Sequence, residues 1–556
     1  MILIVSKVTV SKWIFEISYT KMIFWISFPH FTISINYDEH GVLFDGNGKE
    51  VLVLAPSELT TYLIPKETRT ITGGSKESGP FYPCRNNLKS LIFEDGSSLV
   101  DTGTFCFAYL SELTHLDMTP CTKLKYINNG MFFYCTKIVS LFLPPNIEII
   151  RSSSIINTNI SNLTIPASVA RLESWDSTYN NGAINFNSNL ERVIWSEGSK
   201  IEYIGSVGFT SNSLTSFHIP KSLTVLGNEA LGNNRLESIT VEAGNPVYRS
   251  DGLLLLNSDS TAIVICPNAI TACPAIPPAV TTIGAGAFQS TSILEIDIPF
   301  GIEVLDRNSF ARSSLARVSI PPSVTEIRAG AFWWCTNLNT IAINTSNLAS
   351  VSEGLFLDCA NLREVIVPRG VSALRKSAFE GCCAITHIFV PNTTITIESA
   401  AFARINDAVF IEFEEKSNFY INNLVLYNSG RDQLLAFFGS SGDNIDVNVD
   451  WRTETIGSSA FEGSKVSTII FPSNSSLKTI ESSAFRGTEL KSIRIPNNAT
   501  IISEKSFFGC TKLESVILGK SIQTIEREAS TKIDLVSIHL KANLVFDRCT
   551  ACYRCG

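Results

Sequence analysis

Apolar and polar residues follow one repeating order along most of this chain. Residues 315–332 read LARVSIPPSVTEIRAGAF and residues 490–507 read LKSIRIPNNATIISEKSF, and both fit the frame L-x-x-I-x-I-P-x-x-V-T-x-I-G-x-x-A-F-x-x-C. The L-x-x-I-x-I part alternates with period two, which predicts a strand with one buried face, and proline ends that strand because it has no N–H for a ladder. The V-T-x-I part predicts a second short strand. The glycine after it predicts a turn, and the A-F pair then faces inward.

The aromatic residue of this frame recurs mostly every 22 to 26 residues. One longer interval contains the loop WDSTYNNG at 175–182. Because one unit is too short to enclose a core, its apolar residues are buried only when further units stack on it. We therefore predict a mainly β solenoid of about seventeen coils with parallel strands. The structural repeat positions are Phe107, Phe132, Phe209, Phe288, Phe310, Phe332, Phe356, Phe379, Phe402, Phe461, Phe485 and Phe507, with degenerate copies at Phe81, Ile155, Ile184, Leu231 and Ser530.

Two intervals are much longer, from 231 to 288 and from 402 to 461, and a second kind of repeat accounts for them. Residues 37–73, 248–284 and 420–457 each start at a tyrosine and end at a glycine. Each contains two apolar runs around a polar turn, which is DGNGK, NSDST or NSGRD. That order is typical of a β-hairpin. We expect three inserted hairpin modules, with a structural role preferred over a protruding binding hairpin.

These features predict the domain organisation of the whole chain. The N-terminal hairpin module is expected to close the open end of the array, since an exposed terminal coil would be sticky. The predicted segments are an N-terminal extension (1–36), the N-terminal module or cap (37–80), repeats (81–247), an inserted hairpin module (248–284), repeats (285–419), a further inserted module (420–457), repeats (458–540) and a Cys-containing tail (541–556).

The repeat resembles the BspA-type leucine-rich repeat. The resemblance rests on segments such as IGAGAFQSTSILEIDIP (283–299), IRAGAFWWCTNLNTIAI (327–343) and IGSSAFEGSKVSTIIFP (456–472), and it extends over roughly residues 80–540. It implies a right-handed solenoid. It also implies a cell-surface antigen or adhesin, as found in mucosal bacteria and protist parasites.

Charge and hydropathy exclude two classes of partner. The chain has 44 Lys and Arg against 52 Asp and Glu, so its net charge is −8 and we expect no nucleic-acid binding, which needs a basic surface. The most apolar stretch, residues 13–28, contains Glu16 and Lys21, so no transmembrane span is expected. The start MILIVSKVTVSK has too short an apolar run for a clear signal peptide. A cytoplasmic location therefore stays open beside the surface location that the resemblance implies.

No residue pattern indicates catalysis or a cofactor. The six histidines, His30, His40, His115, His218, His387 and His539, lack catalytic or metal-ligand spacing. No phosphate-binding loop, nucleophile elbow or H-E-x-x-H motif occurs. We therefore expect a protein that is not an enzyme and needs no cofactor or metal.

Cysteine recurs three residues after the repeat aromatic, where other coils have Ser, Thr or Asn. Such a position favours a small side chain that bonds to backbone. In-register strands lie about 4.8 Å apart, whereas a disulfide needs Cβ atoms about 3.8 Å apart, so free buried thiols are expected. The tail has Cys549, Cys552 and Cys555 but no fourth ligand nearby, so metal binding, a disulfide and a frayed tail remain open. The repeat cysteines are Cys84, Cys135, Cys335, Cys359, Cys382 and Cys510.

The outward register of the first strand leaves a surface for function. Large apolar residues at exposed positions indicate an adhesive patch, although ladders that bury one another would use the same residues. We predict binding of a protein ligand through this face, by a surface-associated antigen or adhesin; an intracellular interaction scaffold is the alternative. Neither the ligand nor the oligomeric state follows from the sequence. The outward residues are Phe142, Ile194, His218, Asp297, Ile366, Phe389, Glu412, Ile470, Arg494, Ile517 and His539, and the predicted binding face comprises Arg363, Ile366, His387, Phe389, Ile470 and Arg494.

Overall fold

The computed structural model describes residues 25–28, 31–46, 48–174, 182–405, 409–439, 445–529, 537–538 and 545–546. The chain forms two compact units. The first runs to Asn189 and includes Ile194–Ser199, and the second comprises Leu190–Val193 and the chain from Lys200. Several sequence features lie outside the described residues: most of the N-terminal extension with His30, most of the WDSTYNNG loop, Ser530, His539, and the tail with Cys549, Cys552 and Cys555.

The described residues form short strands and one 3₁₀ turn, Tyr82–Cys84. Up to the end of the first unit the strands are β1 Trp25–Phe28, β2 Phe31–Tyr37, β3 Leu43–Asp45, β4 Val51–Leu54, β5 Thr61–Ile64, β6 Thr70–Ile71, β7 Ser90–Phe93, β8 Asp101–Thr102, β9 His115–Asp117, β10 Tyr126–Ile127, β11 Ser140–Phe142, β12 Ile149–Ile150, β13 Ile155–Ile156, β14 Asn162–Ile165, β15 Arg171–Leu172, β16 Ile184–Asn185 and β17 Arg192–Trp195. The later strands are β18 Tyr203–Ile204, β19 Ser216–Ile219, β20 Val225–Leu226, β21 Ser238–Val241, β22 Tyr248–Ser250, β23 Leu255–Asn257, β24 Ala262–Ile265, β25 Thr282–Ile283, β26 Glu295–Asp297, β27 Val304–Leu305, β28 Arg317–Ile320, β29 Glu326–Ile327, β30 Thr340–Ile343, β31 Ser350–Val351, β32 Glu364–Ile366, β33 Ala373–Leu374, β34 His387–Val390, β35 Thr396–Ile397, β36 Phe410–Phe413, β37 Phe419–Asn422, β38 Val425–Asn428, β39 Gln433–Phe437, β40 Ile445–Asn448, β41 Thr455–Ile456, β42 Val466–Ile470, β43 Thr479–Ile480, β44 Ser492–Arg494, β45 Ile501–Ile502, β46 Ser515–Ile517, β47 Thr524–Ile525, β48 Ser537–Ile538 and β49 Val545–Phe546.

Each coil contributes two parallel strands, one from each half of the repeat frame. In the second unit the first half forms the six-stranded sheet β26–β28–β30–β32–β34–β36, and the second half forms ladders such as β25–β27–β29. Neighbouring coils pair in register, so that Val318 lies opposite Ile296 on one side and Ile341 on the other. Pro321 directly follows β28, at the predicted strand end. The described residues contain no α-helix. The predicted mainly β solenoid with parallel strands is confirmed.

The repeat aromatic residues form stacked columns inside the coils. Phe310 and Phe332 have ring centroids 5.4 Å apart and an interplanar angle of 6°. Phe461 and Phe485 stack at 5.3 Å. Large buried rings supply much of the apolar area that stabilises a core, and here each ring is covered by the ring of the next coil. The predicted structural positions are all buried, at 3% exposure or less: Phe288, Phe310, Phe332, Phe356, Phe379, Phe461, Phe485 and Phe507.

The turn around each aromatic ring uses left-handed backbone at two positions, two residues before the ring and two residues after it. Around Phe310 these are Asn308, with φ of 54°, and Arg312, with φ of 57°. A turn follows the frame glycine, as the sequence predicts, but that glycine does not itself adopt the left-handed conformation. Gly284 lacks a positive φ, and a Cβ there would lie 2.5 Å from the Ile263 carbonyl oxygen, so this glycine permits close approach of neighbouring coils. The other glycines of that position, Gly205, Gly227 and Gly457, also lack positive φ.

Each inserted module forms the predicted hairpin and one additional strand. In the second module β23 pairs antiparallel with β24, and β22 adds an antiparallel strand on the other side of β23. The first and third modules repeat this order as β2–β3–β4 and β37–β38–β39. In the second module the starting residue Tyr248 lies opposite Asn257. In the third module the residue at that position is Phe419, which lies opposite Asn428, and in the first module Tyr37 lies opposite Leu43 instead. The three starting tyrosines are therefore not equivalent.

The last strand of each module takes the place of one strand of a preceding coil and pairs with the coil that follows. β24 pairs parallel with β25, and β39 pairs parallel with β41. In the third module alternate residues face two different parts of the core: Leu426 and Phe438 pack on one side, and Tyr427 and Leu434 on the other. The strand β38 is therefore buried on both faces, while β37 is largely exposed, and a structural role for this module stays a prediction. That the first module closes the end of the array stays a prediction.

The cysteines after the repeat aromatic bond to backbone, as the sequence predicts. Cys335 Sγ lies 3.0 Å from the carbonyl oxygen of Phe310, and Cys359 Sγ lies 3.0 Å from that of Phe332. Thr488 serves a similar purpose in its coil, with Oγ1 donating to the Phe485 carbonyl at 2.9 Å. All six repeat cysteines are free thiols and buried.

Candidate binding surface

The six-stranded sheet β26–β36 presents two outward rows of side chains. Inward residues such as Val365 and Ile388 are at most 1% exposed. Because side chains alternate across a strand, their neighbours on both sides face out. One row contains Glu295, Arg317, Thr340, Glu364, His387 and Phe410; the other contains Asp297, Ser319, Ala342, Ile366, Phe389 and Glu412.

Three large apolar residues lie together at the end of these rows. Ile366 is 60% exposed and lies opposite Phe389, which is half-buried. Phe410 on the next strand is 63% exposed and lies opposite His387. The His387 and Phe410 rings stack with centroids 5.8 Å apart. Isolated exposed apolar residues are ordinary, but this cluster on three adjacent strands is unusual for a surface.

Two glutamates hold the histidine within this cluster. His387 Nδ1 is 3.1 Å from Glu364 Oε1, and His387 Nε2 is 3.1 Å from Glu412 Oε2. Only the protonated imidazole donates from both nitrogens. The pKa of His387 is accordingly raised, chiefly because Glu364 accepts a hydrogen bond and with a further contribution from Glu412; burial opposes the rise. We call Glu364, Ile366, His387, Phe389, Phe410 and Glu412 the β32–β36 patch.

Ion pairs flank the patch on both sides. Arg317 Nη2 on β28 donates to both carboxylate oxygens of Glu295 on β26, each at 2.9 Å, and β30 separates this pair from the patch. Arg369 Nη2 lies 2.7 Å from Glu414 Oε1 and spans the intervening strand. These exposed pairs give the apolar centre a charged rim, although each pair contributes little to stability.

The structure brings together three of the six predicted site residues. Ile366, His387 and Phe389 belong to the patch, and Arg363 is exposed immediately before β32. Ile470 and Arg494 lie on β42 and β44, which belong to other sheets. Ile470 is 44% exposed opposite Asn448, and Arg494 lies opposite Ile517.

Sequence reasoning missed Glu364 and Phe410 as members of this surface. It identified Glu412 as outward without assigning it to the site. Both missed residues occupy the row of His387, two residues before the row of Ile366, so the second outward register of the same repeat frame would have found them.

Metal-type clusters and membrane-spanning helices are both absent from the described residues. No group of three or more His, Cys, Asp or Glu there has metal-site geometry. Within the same part of the chain, no helix has the length and apolar character that a membrane span requires.

The repeat matches a known protein family over most of the chain. The family described as "BspA type Leucine rich repeat region (6 copies)" matches residues 55–182, 176–251, 275–429 and 435–554. No curated protein matches this chain.

Several solved structures are similar to this chain. A leucine rich cell surface protein from Faecalibacterium prausnitzii is 20% identical, covering 71% of this chain and 96% of its own, with a TM-score of 0.43. A leucine-rich repeat protein from Eubacterium ventriosum is 18% identical, covering 82% and 94%, with a TM-score of 0.44. The pneumococcal vaccine antigen PcpA is 16% identical, covering 71% and 100%, with a TM-score of 0.39.

Proposed function

This protein belongs to the BspA-type leucine-rich repeat family, and we propose that it is a non-enzymatic protein-binding protein whose ligand contacts the β32–β36 patch. The observation that carries this proposal is the cluster of Ile366, Phe389 and Phe410 on three adjacent strands, with the first and last about 60% exposed. Stacking along the sheet covers part of Phe389 but leaves most of Ile366 and Phe410 in water.

The energetics of such a cluster suit a binding site. Burying an Ile or Phe side chain contributes about 1.5–3 kcal/mol, and binding energy concentrates in a few large apolar residues inside a polar rim. The strands that present these residues are held in register by the solenoid, so little ordering of this surface is required when a partner binds. The glutamates of the patch favour a ligand segment that places a basic residue beside an apolar anchor.

The test replaces the apolar centre while leaving the core intact. We expect Ile366→Ser with Phe389→Ser, and separately Phe410→Ser, to weaken binding to intact epithelial cells or immobilised extracellular-matrix proteins at least tenfold. A tenfold loss corresponds to about 1.4 kcal/mol. The melting temperature should change little because these side chains contact water in the free protein.

Ile92 offers a matched control on another sheet. It is 55% exposed at the outward position of β7, opposite Leu63. Ile92→Ser should leave binding unchanged. Loss of folding in the patch variants would place these residues in the core, and unchanged binding in folded variants would show that another surface is used.

For location, we propose a surface-associated protein, on the resemblance of its repeats to those of BspA-type surface antigens. An intracellular interaction scaffold is the second candidate, since the buried repeat cysteines are free thiols. A membrane-impermeant biotin reagent added to intact cells separates the two. Labelling before lysis supports the surface protein, and labelling only after lysis supports the scaffold.

A further inference from the structure

The second module interrupts the bonds between successive coils. In the preceding coil the amides of Val207, Phe209 and Ser211 donate to the carbonyls of residues 228, 230 and 232 at 2.7–3.0 Å. The next coil should continue this pattern through the amides of Glu229, Leu231 and Asn233. Among the described residues, however, no backbone carbonyl accepts from these three amides. One edge of this coil therefore presents unused donors at alternate residues, as the edge of a β-strand does.

A cavity of about 230 Å³ lies beside this edge. Leu226, Leu231, Leu236 and Cys266 contribute apolar lining. Leu226 is half-buried, whereas Ile204, opposite it on the preceding coil, is fully buried. The core is thus incompletely covered at the point where the module enters.

One buried acceptor lines the same cavity. Gln289 is 7% exposed, and its Oε1 has no hydrogen-bond partner among the described residues. A buried amide oxygen without a partner is costly. Glu229 and Leu231 also line the cavity, so the cleft offers two backbone donors, one side-chain acceptor and an apolar floor.

In the third module an aromatic ring fills the position that corresponds to this cleft. Cys266 N–H donates to the Ala287 carbonyl at 2.7 Å, and Phe437 N–H donates to the Ala460 carbonyl at 2.9 Å, so these two residues are equivalent. The residue after Phe437 is Phe438, whose ring packs edge-on against Phe402 at 5.7 Å.

In the second module the corresponding residues are smaller. Pro267 corresponds to Phe438, and Leu231 corresponds to Phe402. Neither wall of the cleft supplies an aromatic ring, which explains the cavity between them.

We propose that this cleft binds an extended peptide segment through one aromatic or large aliphatic side chain. An apolar cavity of about 150 Å³ accommodates a benzene ring, so 230 Å³ accommodates a phenyl ring with adjoining backbone. The peptide carbonyls accept from the amides of Glu229 and Leu231, and a peptide N–H donates to Gln289 Oε1. Strand addition at a sheet edge uses the same combination of backbone bonds and side-chain pockets.

This site goes beyond the proposed function, because it shares no residue with the β32–β36 patch. The probe is N-acetyl-phenylalaninamide, which has a phenyl ring between two peptide groups; N-acetylglycinamide is its ringless control. Methyl NMR of the full chain, labelled at leucine, reports on Leu226, Leu231 and Leu236. We expect saturable shifts of these methyls with the phenylalanine amide at millimolar concentration and none with the glycine amide.

Two variants fill the cleft from opposite walls. Pro267→Phe introduces the ring of the third module, and Leu231→Phe restores the aromatic residue of the repeat frame. Each should weaken binding of the phenylalanine amide at least tenfold, and a thermal melt identifies the variant that keeps its fold. The proposal is overturned by absent shifts, by equal shifts with the glycine amide, or by undiminished binding in a folded variant.

Discussion

At the scale of single residues, the position three residues after the repeat aromatic accepts several kinds of side chain, of which cysteine is one. Cys382 Sγ donates to the Phe356 carbonyl at 3.2 Å, while Thr291 Oγ1 donates to the Phe288 carbonyl at 2.9 Å. A short donor at this point adds a side-chain hydrogen bond to a carbonyl that already accepts a backbone N–H, as Phe288 does from Thr291 at 3.3 Å and Phe356 does from Cys359 at 3.0 Å. Thiol, hydroxyl and amide groups can therefore replace one another at this position of the repeat without disturbing the ring beside them.

Burial makes these thiols unreactive in the folded protein. It raises the pKa of the Cys335 thiol to about 11 and that of Cys135 to about 12, and alkylation needs the thiolate. We expect iodoacetamide at pH 8 to modify the exposed Cys383 in the native chain, and the repeat cysteines only after denaturation, as read by peptide mass spectrometry. A Cys335–Cys359 or Cys359–Cys382 disulfide would contradict this expectation.

At the scale of the strand, His387 joins three neighbouring elements. It bridges Glu364 on β32 and Glu412 on β36, and it stacks on Phe410. Its raised pKa means that folding favours the charged imidazole. The resulting stability is complete below the pKa of an unfolded histidine, about 6.5, and is lost as the pH rises through the folded value.

We expect an NMR titration of the His387 Cε1 proton to give a pKa above the ordinary histidine value. Glu364→Gln should lower it, because the largest contribution comes from that carboxylate. Glu295→Gln removes a carboxylate of the same sheet that pairs with Arg317 instead, and should leave the His387 pKa unchanged. Equal effects of the two substitutions would show that the bridge to Glu364 does not form in solution.

The strands and the ring columns could be predicted because both depend on a period that the sequence repeats many times. The additional strand of each module could not, since short segments such as YRS at β22 show no alternation of apolar and polar residues. For the site, Ile366 and Phe389 could be predicted from one outward register. The cleft at Leu231 could not be predicted, because it depends on the small size of Cys266 and Pro267. Their small size becomes evident only by comparison with the larger residues at the same positions of the third module.

At the scale of the whole molecule, the modules act as alternative coils within the array. Their last strands pair with the following coil as an ordinary coil does, through bonds such as Gly284 N–H to the Ile263 carbonyl and Gly457 N–H to the Leu434 carbonyl, at 2.9 and 2.8 Å. Folding therefore depends mainly on contacts between adjacent coils, as in other repeat proteins.

In-register pairing between successive coils, as along β26–β28–β30, makes such coils interchangeable units of length. Deleting residues 311–332 would join Phe310 to Trp333 and bring Phe310 against Phe356 as its new neighbour. We expect this variant to fold and melt cooperatively, whereas deleting only 311–321 should not, because it removes one strand and leaves its partner strand unmatched. Calorimetry and circular dichroism distinguish the two.

The interchangeability of coils also has a consequence for the gene that encodes them. Unequal crossing-over between coil-encoding segments in the same reading frame adds or removes a unit without creating a faulty junction. The number of coils can then change while the apolar residues at Ile366 and Phe389 stay adjacent, so variation in length need not cost the protein the binding surface proposed above.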